Sequence, residues 1–268
     1  MEQKSLIDKV KILVDGEGEE AILMIHGWPD TPAVWEGQVA FFKENYRCVR
    51  LTLPSYDGPG PREQFTIEQI SALIKNVIQQ YGIENKAILM VHDWGAAFGY
   101  QFYMRYPAMV IKIIGVDIGD FQTYMDKAPI KTKLMIYSYQ FTNVLTWYLG
   151  RKGGDKLTRL LAKAFKAPTA SAKIFSNMNW PYYMCWFAGE HAYKHTFKDF
   201  NPSCPFLFVY GEDKPIMFHD QQWAEKLAAK DNNSIISFES DHWVMVREPE
   251  RFNKVVSEWF GIVDSSKQ

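Results

Sequence analysis

Apolar residues fall along the chain in two alternating patterns. Short runs rich in β-branched residues occupy 9–14, 20–25, 47–53, 86–91, 110–117, 205–210 and 234–239. Several are apolar at every position, which predicts strands buried on both faces of a parallel sheet. Between them the apolar positions return at the helical period. Residues 66–81 show this best, with Ile67, Ile70, Leu73, Ile74, Val77, Ile78 and Tyr81 on one face. Thr66 and Gln69 stand at the spacing of a capping box, in which each side chain bonds the other residue's backbone N–H. Strands alternating with helices predict an α/β domain, a mostly parallel central sheet flanked by helices.

The rhythm breaks once. No convincing strand lies between Asp117 and Pro205, a gap far longer than ordinary connections. Residues 131–148, 154–166, 170–178 and 181–197 read instead as helices rich in Tyr, Trp, Phe and Met. We expect a helical cap inserted in the core: residues 1–118 and 204–268 form the core domain and 119–203 the cap. Extra core helices are the alternative.

Composition changes this picture little. The 268 residues are 47% hydrophobic and carry a net charge of −1, so a sizeable core can form and neither nucleic acid nor an anionic membrane is indicated as partner. The basic stretch Arg151–Lys156 reads as a solvated loop. The first ten residues show no apolar signal region, and no run approaches the roughly 20 apolar residues that span a bilayer. Cys48, Cys185 and Cys204 are odd in number and far apart, as in a reduced, cytoplasmic protein. Oligomeric state is not legible. No Cys/His cluster has metal-ligand spacing, and no cofactor is implied.

The chemistry concentrates in Leu89-Met90-Val91-His92-Asp93-Trp94-Gly95-Ala96-Ala97. A buried strand runs straight into a helix that starts with small residues, the signature of a tight elbow exposing one side chain above the strand's end. Asp93 stands where a serine nucleophile would, and no G-x-S-x-G exists in the chain. The simplest alternative is an aspartate that only caps the helix. As a nucleophile, a carboxylate suits displacement at an sp³ carbon, giving an alkyl ester that water then cleaves. That second step needs a base and an oxyanion hole. His242, just after the last predicted strand, is the candidate base, in the C-terminal position that the chain order nucleophile, acid, histidine requires. Asp213, directly after the strand at 205–210, is the favoured acid to orient it, with Asp117 as the rival at the end of the preceding strand. Backbone N–H groups of Trp94 and of Trp28, in His26-Gly27-Trp28-Pro29, are the candidate oxyanion donors.

These residues, spanning His26 to Trp243, resemble the aspartate-nucleophile branch of the α/β-hydrolase superfamily, the epoxide hydrolases and haloalkane dehalogenases. Resemblance to the epoxide hydrolases rests on HGWP and on the pair His242-Trp243. It implies two cap tyrosines that protonate the epoxide oxygen: Tyr139 for the first, and Tyr182 or Tyr183 for the second. Resemblance to the dehalogenases rests on Val91 before the elbow, on Ala96-Ala97-Phe98-Gly99 after it, on Trp180-Pro181 and on Asp117. It would make Trp94 a halide donor, and it departs at Trp28, where many dehalogenases carry asparagine. Leu53–Gly58 fits neither pattern well. The reading favours an epoxide hydrolase acting on a small, largely apolar molecule, with Trp28, Trp94 and Trp180 lining its pocket. A dehalogenase is the alternative, and a non-catalytic ligand-binding relative the third reading.

Overall fold

A computed structural model describes residues 6–261; residues 1–5 and 262–268, inside the bounds expected for the core, lie outside the described residues. Its sheet contains seven strands: β1 (Ile12–Asp15), β2 (Ala21–Ile25), β3 (Arg47–Leu51), β4 (Ala87–His92), β5 (Val110–Val116), β6 (Phe206–Gly211) and β7 (Ser234–Phe238). They lie in the order β1-β3-β2-β4-β5-β6-β7. Only β1 runs antiparallel to its neighbour. The seven strands fall on the seven apolar runs, shifted by at most a few residues.

The central strands β2 and β4 are buried at every position because helices cover both faces. Leu23, Leu89 and Ile113 point into one core with α2 (Ile67–Gln80) and α3 (Trp94–Tyr103). Ile22, Met24 and Met90 point into the other, with α1 (Glu36–Phe42) and, near the C-terminus, Phe252 and Val256. At the start of α2 the capping box is formed: Gln69 N donates to Thr66 Oγ1 at 3.3 Å and Thr66 N to Gln69 Oε1 at 2.9 Å.

Between β5 and β6 the chain forms α4 (Phe121–Lys127), α5 (Ile130–Ala164), α6 (Trp180–Trp186) and α7 (Tyr193–Thr196). The expected helices 131–148 and 154–166 are two arms of α5, separated at Gly150, whose φ of 63° and ψ of −156° belong to no helix. The basic stretch Arg151–Lys156, expected as a loop, is instead the first turn of the second arm. Residues 170–178 are not one helix. Short 3-10 turns at Ser171–Lys173 and Ser176–Asn179 replace it. Asp155 holds Ser176 by its N–H and hydroxyl, at 2.8 and 2.7 Å, and that side-chain capture competes with helical hydrogen bonding. The expected helix 181–197 ends at Trp186, before Gly189 turns the chain at φ 58°. Among the described residues no helix is long and apolar enough to cross a membrane. The chain closes with α8 (Gln221–Ala228), α9 (Val244–Arg247) and α10 (Pro249–Phe260). Because β2, β4, β5, β6 and β7 are parallel, the loops that follow them gather on one edge of the sheet, where α/β proteins place their chemistry.

Candidate active site

Asp93 sits at the turn from β4 into α3 with φ 53° and ψ −126°, a strained conformation of the kind that functional sites retain. Two glycines make the turn possible. A Cβ on Gly95 would lie 2.2 Å from Ile25 O, and one on Gly27 would lie 2.2 Å from Asp93 Oδ1. With Gly27 bare, the next residue's backbone closes in, and Trp28 N donates to Asp93 Oδ1 at 2.5 Å. The Trp28-Pro29 peptide is cis.

The other carboxylate oxygen, Oδ2, lies 3.5 Å from His242 Nε2. On the far side of the imidazole, His242 Nδ1 is 2.5 Å from Asp117 Oδ2. Asp117 directly follows β5, is wholly buried, and takes φ 66°. Its second oxygen accepts from Gly211 N at 3.0 Å and from the Lys214 ammonium. The acid that touches the imidazole is therefore Asp117, and the expectation placing Asp213 there is corrected. Asp213 is exposed and meets this region only through its backbone N–H, which donates to Ser240 O at 2.9 Å. The β6 loop turns its side chain to solvent and sends that of the next residue, Lys214, inward.

Charge follows this geometry. Burial would lower the His242 imidazole, but Asp117 and then Asp93 outweigh it and raise it to about 9. Burial would raise Asp93, yet its hydrogen bond and charge interaction with His242, with a smaller contribution from Trp94 N–H, hold it below the usual carboxylate range. Asp117 is likewise held low against burial, first by Lys214 and then by His242. At neutral pH the set is two carboxylates bracketing an imidazolium.

Aromatic residues from the insertion face Asp93. The Tyr139 and Tyr182 hydroxyls are 2.5 Å apart. The Tyr139 ring packs edge-on to Trp28 at 5.8 Å, and the Tyr182 ring to Trp28 at 5.9 Å and Trp94 at 5.3 Å. Burial pushes both phenols well above their ordinary value, so each keeps its proton. Of the two neighbouring tyrosines, then, Tyr182 joins this group. Tyr183, one residue on and so on another face of α6, stacks on Trp147 at 4.5 Å away from Asp93. Trp180 is also withdrawn: its ring stacks behind Phe98 at 5.4 Å and its indole N–H bonds Pro54 O. The expectations that Trp180 lines the pocket with Trp28 and Trp94, and that Tyr183 can stand in for Tyr182 as the second tyrosine, are corrected accordingly, since packing on Phe98 and Trp147 holds the two rings back.

Several polar residues around the site escaped the sequence reading. Buried Asn179 accepts from Trp28 Nε1 at 2.5 Å while donating to Thr146 and Thr158, which fixes the Trp28 indole against the insertion. Asp30 accepts from Trp243 Nε1 at 2.7 Å and from Thr169 of the insertion at 2.8 Å, and burial raises it to about 6. His92 donates from Nε2 to His242 O at 3.0 Å and, desolvated, is lowered to about 3. Asp30 and His92 had local signals, Asp30 as the polar residue ending His26-Gly27-Trp28-Pro29-Asp30 and His92 as the residue directly before Asp93 at the elbow. No three or more His, Cys, Asp or Glu side chains converge as metal ligands among the described residues.

Known proteins resemble this chain in sequence or in fold. Epoxide hydrolase 1 of Caenorhabditis elegans is 30% identical over 146 residues, 53% of this chain, and the chain spans only 34% of that protein's length. Epoxide hydrolase 4 of Homo sapiens is 24% identical over 89% of this chain and 72% of its own. A solved Bacillus megaterium epoxide hydrolase in complex with an inhibitor superposes with a TM-score of 0.70 at 22% identity, covering 94% of this chain and 96% of that one, a likeness of fold. Residues 22–255, from the strand before His26 to beyond His242, match the alpha/beta hydrolase family as a whole. On that match, which takes in the central sheet, the elbow and the His242 loop, the chain belongs to the alpha/beta hydrolase family.

Proposed function

We propose that the protein is an epoxide hydrolase whose nucleophile is Asp93, with His242 as base, Asp117 as the acid that orients it, and the helical insertion as a cap over a small, largely apolar substrate. The observation that carries this reading is the pair of protonated phenols, Tyr139 and Tyr182, packed on the two tryptophans that flank Asp93. A phenol held above its ordinary value keeps its proton at neutral pH and so has a hydrogen to donate, which is what an epoxide oxygen needs as its ring opens.

The steps follow from the geometry. Trp28 N–H occupies Asp93 Oδ1, leaving Oδ2 to attack an epoxide carbon while the ring oxygen takes a phenolic proton. The product is an ester on Asp93, a hydroxyl on the substrate and a phenolate. Esterification removes one of the two carboxylate charges that hold the imidazolium, so His242 gives up its proton, which restores the phenol, and becomes a base. It then takes a proton from water as the oxygen attacks the ester carbon. Negative charge gathers on Oδ1, where the N–H groups of Trp28 and Trp94 stabilise it. His242 returns its proton to the departing alcohol, and the carboxylic acid left on Asp93 then passes its proton to His242, restoring the carboxylate and the imidazolium. The net reaction adds one water to one epoxide and gives a diol.

A dehalogenase with the same triad is the second reading, favoured by the acid's place at the end of β5. Against it, the Trp28 indole N–H is committed to Asn179 and so is unavailable to a halide. The deciding experiment incubates the protein with aryl epoxides and haloalkanes and follows diol and halide together, with intact-mass analysis of a His242→Gln variant. We expect diol without halide, an alkyl adduct on Asp93 in the variant, and a loss of at least ~10³-fold in Asp93→Ala. Halide release in place of diol would overturn the epoxide reading. No adduct with any substrate would overturn covalent catalysis by Asp93 and return the chain to a binding role.

A further inference from the structure

Lys214 has no part in the steps above, yet its ammonium is among the groups closest to the triad. Its side chain is 6% exposed, and it reaches Asp117 on the oxygen that His242 leaves free. The ammonium also donates to Gly211 O at 2.7 Å. The rings of Tyr210 and Phe218 flank it at 5.8 and 5.6 Å, and Phe218 itself packs on His242 at 5.5 Å. Burying an ammonium is costly, and it persists only where an opposite charge meets it. Here that charge is the carboxylate that orients the imidazole.

We propose that Lys214 is a positioning residue of the triad: it clamps the Asp117 carboxylate by its second oxygen and offsets part of that charge, so that His242 releases its proton more readily than it would beside Asp117 alone. This rests on Asp117 being the orienting acid. The groups facing the triad narrow the argument to Lys214. Asp93, Asp117 and Asp30 are the acids around His242. His92 and His219, lowered by burial to about 3 and about 4, stay neutral, as does Tyr100, raised well above its ordinary value. Asp220, which also faces His219, is held by Lys127 at 3.0 Å. Among the described residues facing the triad, Lys214 is thus the cation that works against the acids. Without it, Asp117 and Asp30 would bear on the imidazolium unopposed once Asp93 is esterified, and the base would stay protonated through the step that needs it neutral.

The test reads the imidazole directly. In full-length protein labelled at histidine, the His242 resonance is identified by its loss in His242→Gln and titrated by NMR. We expect Lys214→Met and Lys214→Gln to raise its midpoint by about one pH unit or more, tenfold in proton affinity. Lys214→Arg should leave it within ~0.3 unit, and Asp117→Asn should lower it. Glutamine keeps a polar group in the same space, so the charge can be read even if methionine disturbs folding. An unmoved midpoint in the folded Met or Gln variant would overturn the proposal, since a merely structural lysine alters stability without altering the imidazole. An unmoved midpoint in Asp117→Asn would instead remove Asp117 as the acid. With an epoxide that forms the Asp93 ester, the acid limb of ester hydrolysis should climb by the same interval. If no ester forms, the epoxide reading fails alone, because the NMR midpoint needs no substrate.

Discussion

Two aspartates stand one strand apart and at similar height: β5 and β6 are parallel neighbours with Val116 paired to Val209, and Asp117 and Asp213 follow soon after. Both precede His242 in the chain and both follow a buried strand, so chain order could not separate them. What separates them is which side chain the turn directs inward, and that depends on backbone angles such as the φ of 66° at Asp117. The functional consequence is a contrast. Asp117→Asn should cost ~10²–10⁴-fold in turnover, as losing the partner of a catalytic histidine does, whereas Asp213→Asn, at an exposed site, should stay within about twofold. Steady-state rates of diol formation for the two variants check this, and equal losses would reverse the assignment of the acid. The tyrosines teach the same lesson. Tyr182 and Tyr183 are adjacent and chemically identical, and only the register of α6 behind Pro181 decides which one meets Tyr139. By contrast Asp93, His242 and the Trp28 loop were legible, because a strand, a sharp turn and small residues leave a local trace.

At the level of elements, the sheet was readable because burial on both faces leaves unbroken apolar runs, and α2 was readable through its single apolar face and its capping box. The insertion was less so. Its helices are interrupted by side-chain hydrogen bonds from distant residues, such as Asp155 to Ser176, and those leave no periodic mark. The elbow makes a sharper mechanical claim. Gly95→Ala would force a Cβ against Ile25 O and His26 O, at 2.2 and 2.5 Å, both backbone atoms of the central strand and its exit. Overpacking of this kind costs ~1–3 kcal/mol. Thr66→Ala, which removes half of the capping box, should cost about 1 kcal/mol. Urea unfolding of both variants measures this, and only Gly95→Ala should also depress turnover, because it displaces Asp93.

For the molecule as a whole, buried imidazoles set the response to acid. His26, His92 and His219 are lowered from 6.5 to about 4, 3 and 4, chiefly by burial. Between those values and 6.5 the unfolded chain binds more protons than the folded one, so stability falls as pH drops from 6.5 toward 4. Asp30, raised from 3.8 to about 6, opposes this over part of the range, one group against three. His242 works on the alkaline side: raised from 6.5 to about 9, it contributes stability that is full below 6.5 and lost as pH rises through 9. Thermal unfolding should therefore show its highest midpoint near pH 6.5–7, with a decline on both sides, and His242→Gln should flatten the alkaline decline. A midpoint constant between pH 4.5 and 6.5 would contradict neutral, buried imidazoles. The path of the chain carries one more consequence. Asp93, Asp117 and both candidate oxyanion donors precede the insertion, while His242 and Lys214 follow it. The proposed catalytic set is thus bipartite: in that reading the first segment holds the electrophile's trap and the second the means of releasing it. A protein severed within the insertion would be two silent halves, and turnover would report only that the halves had met.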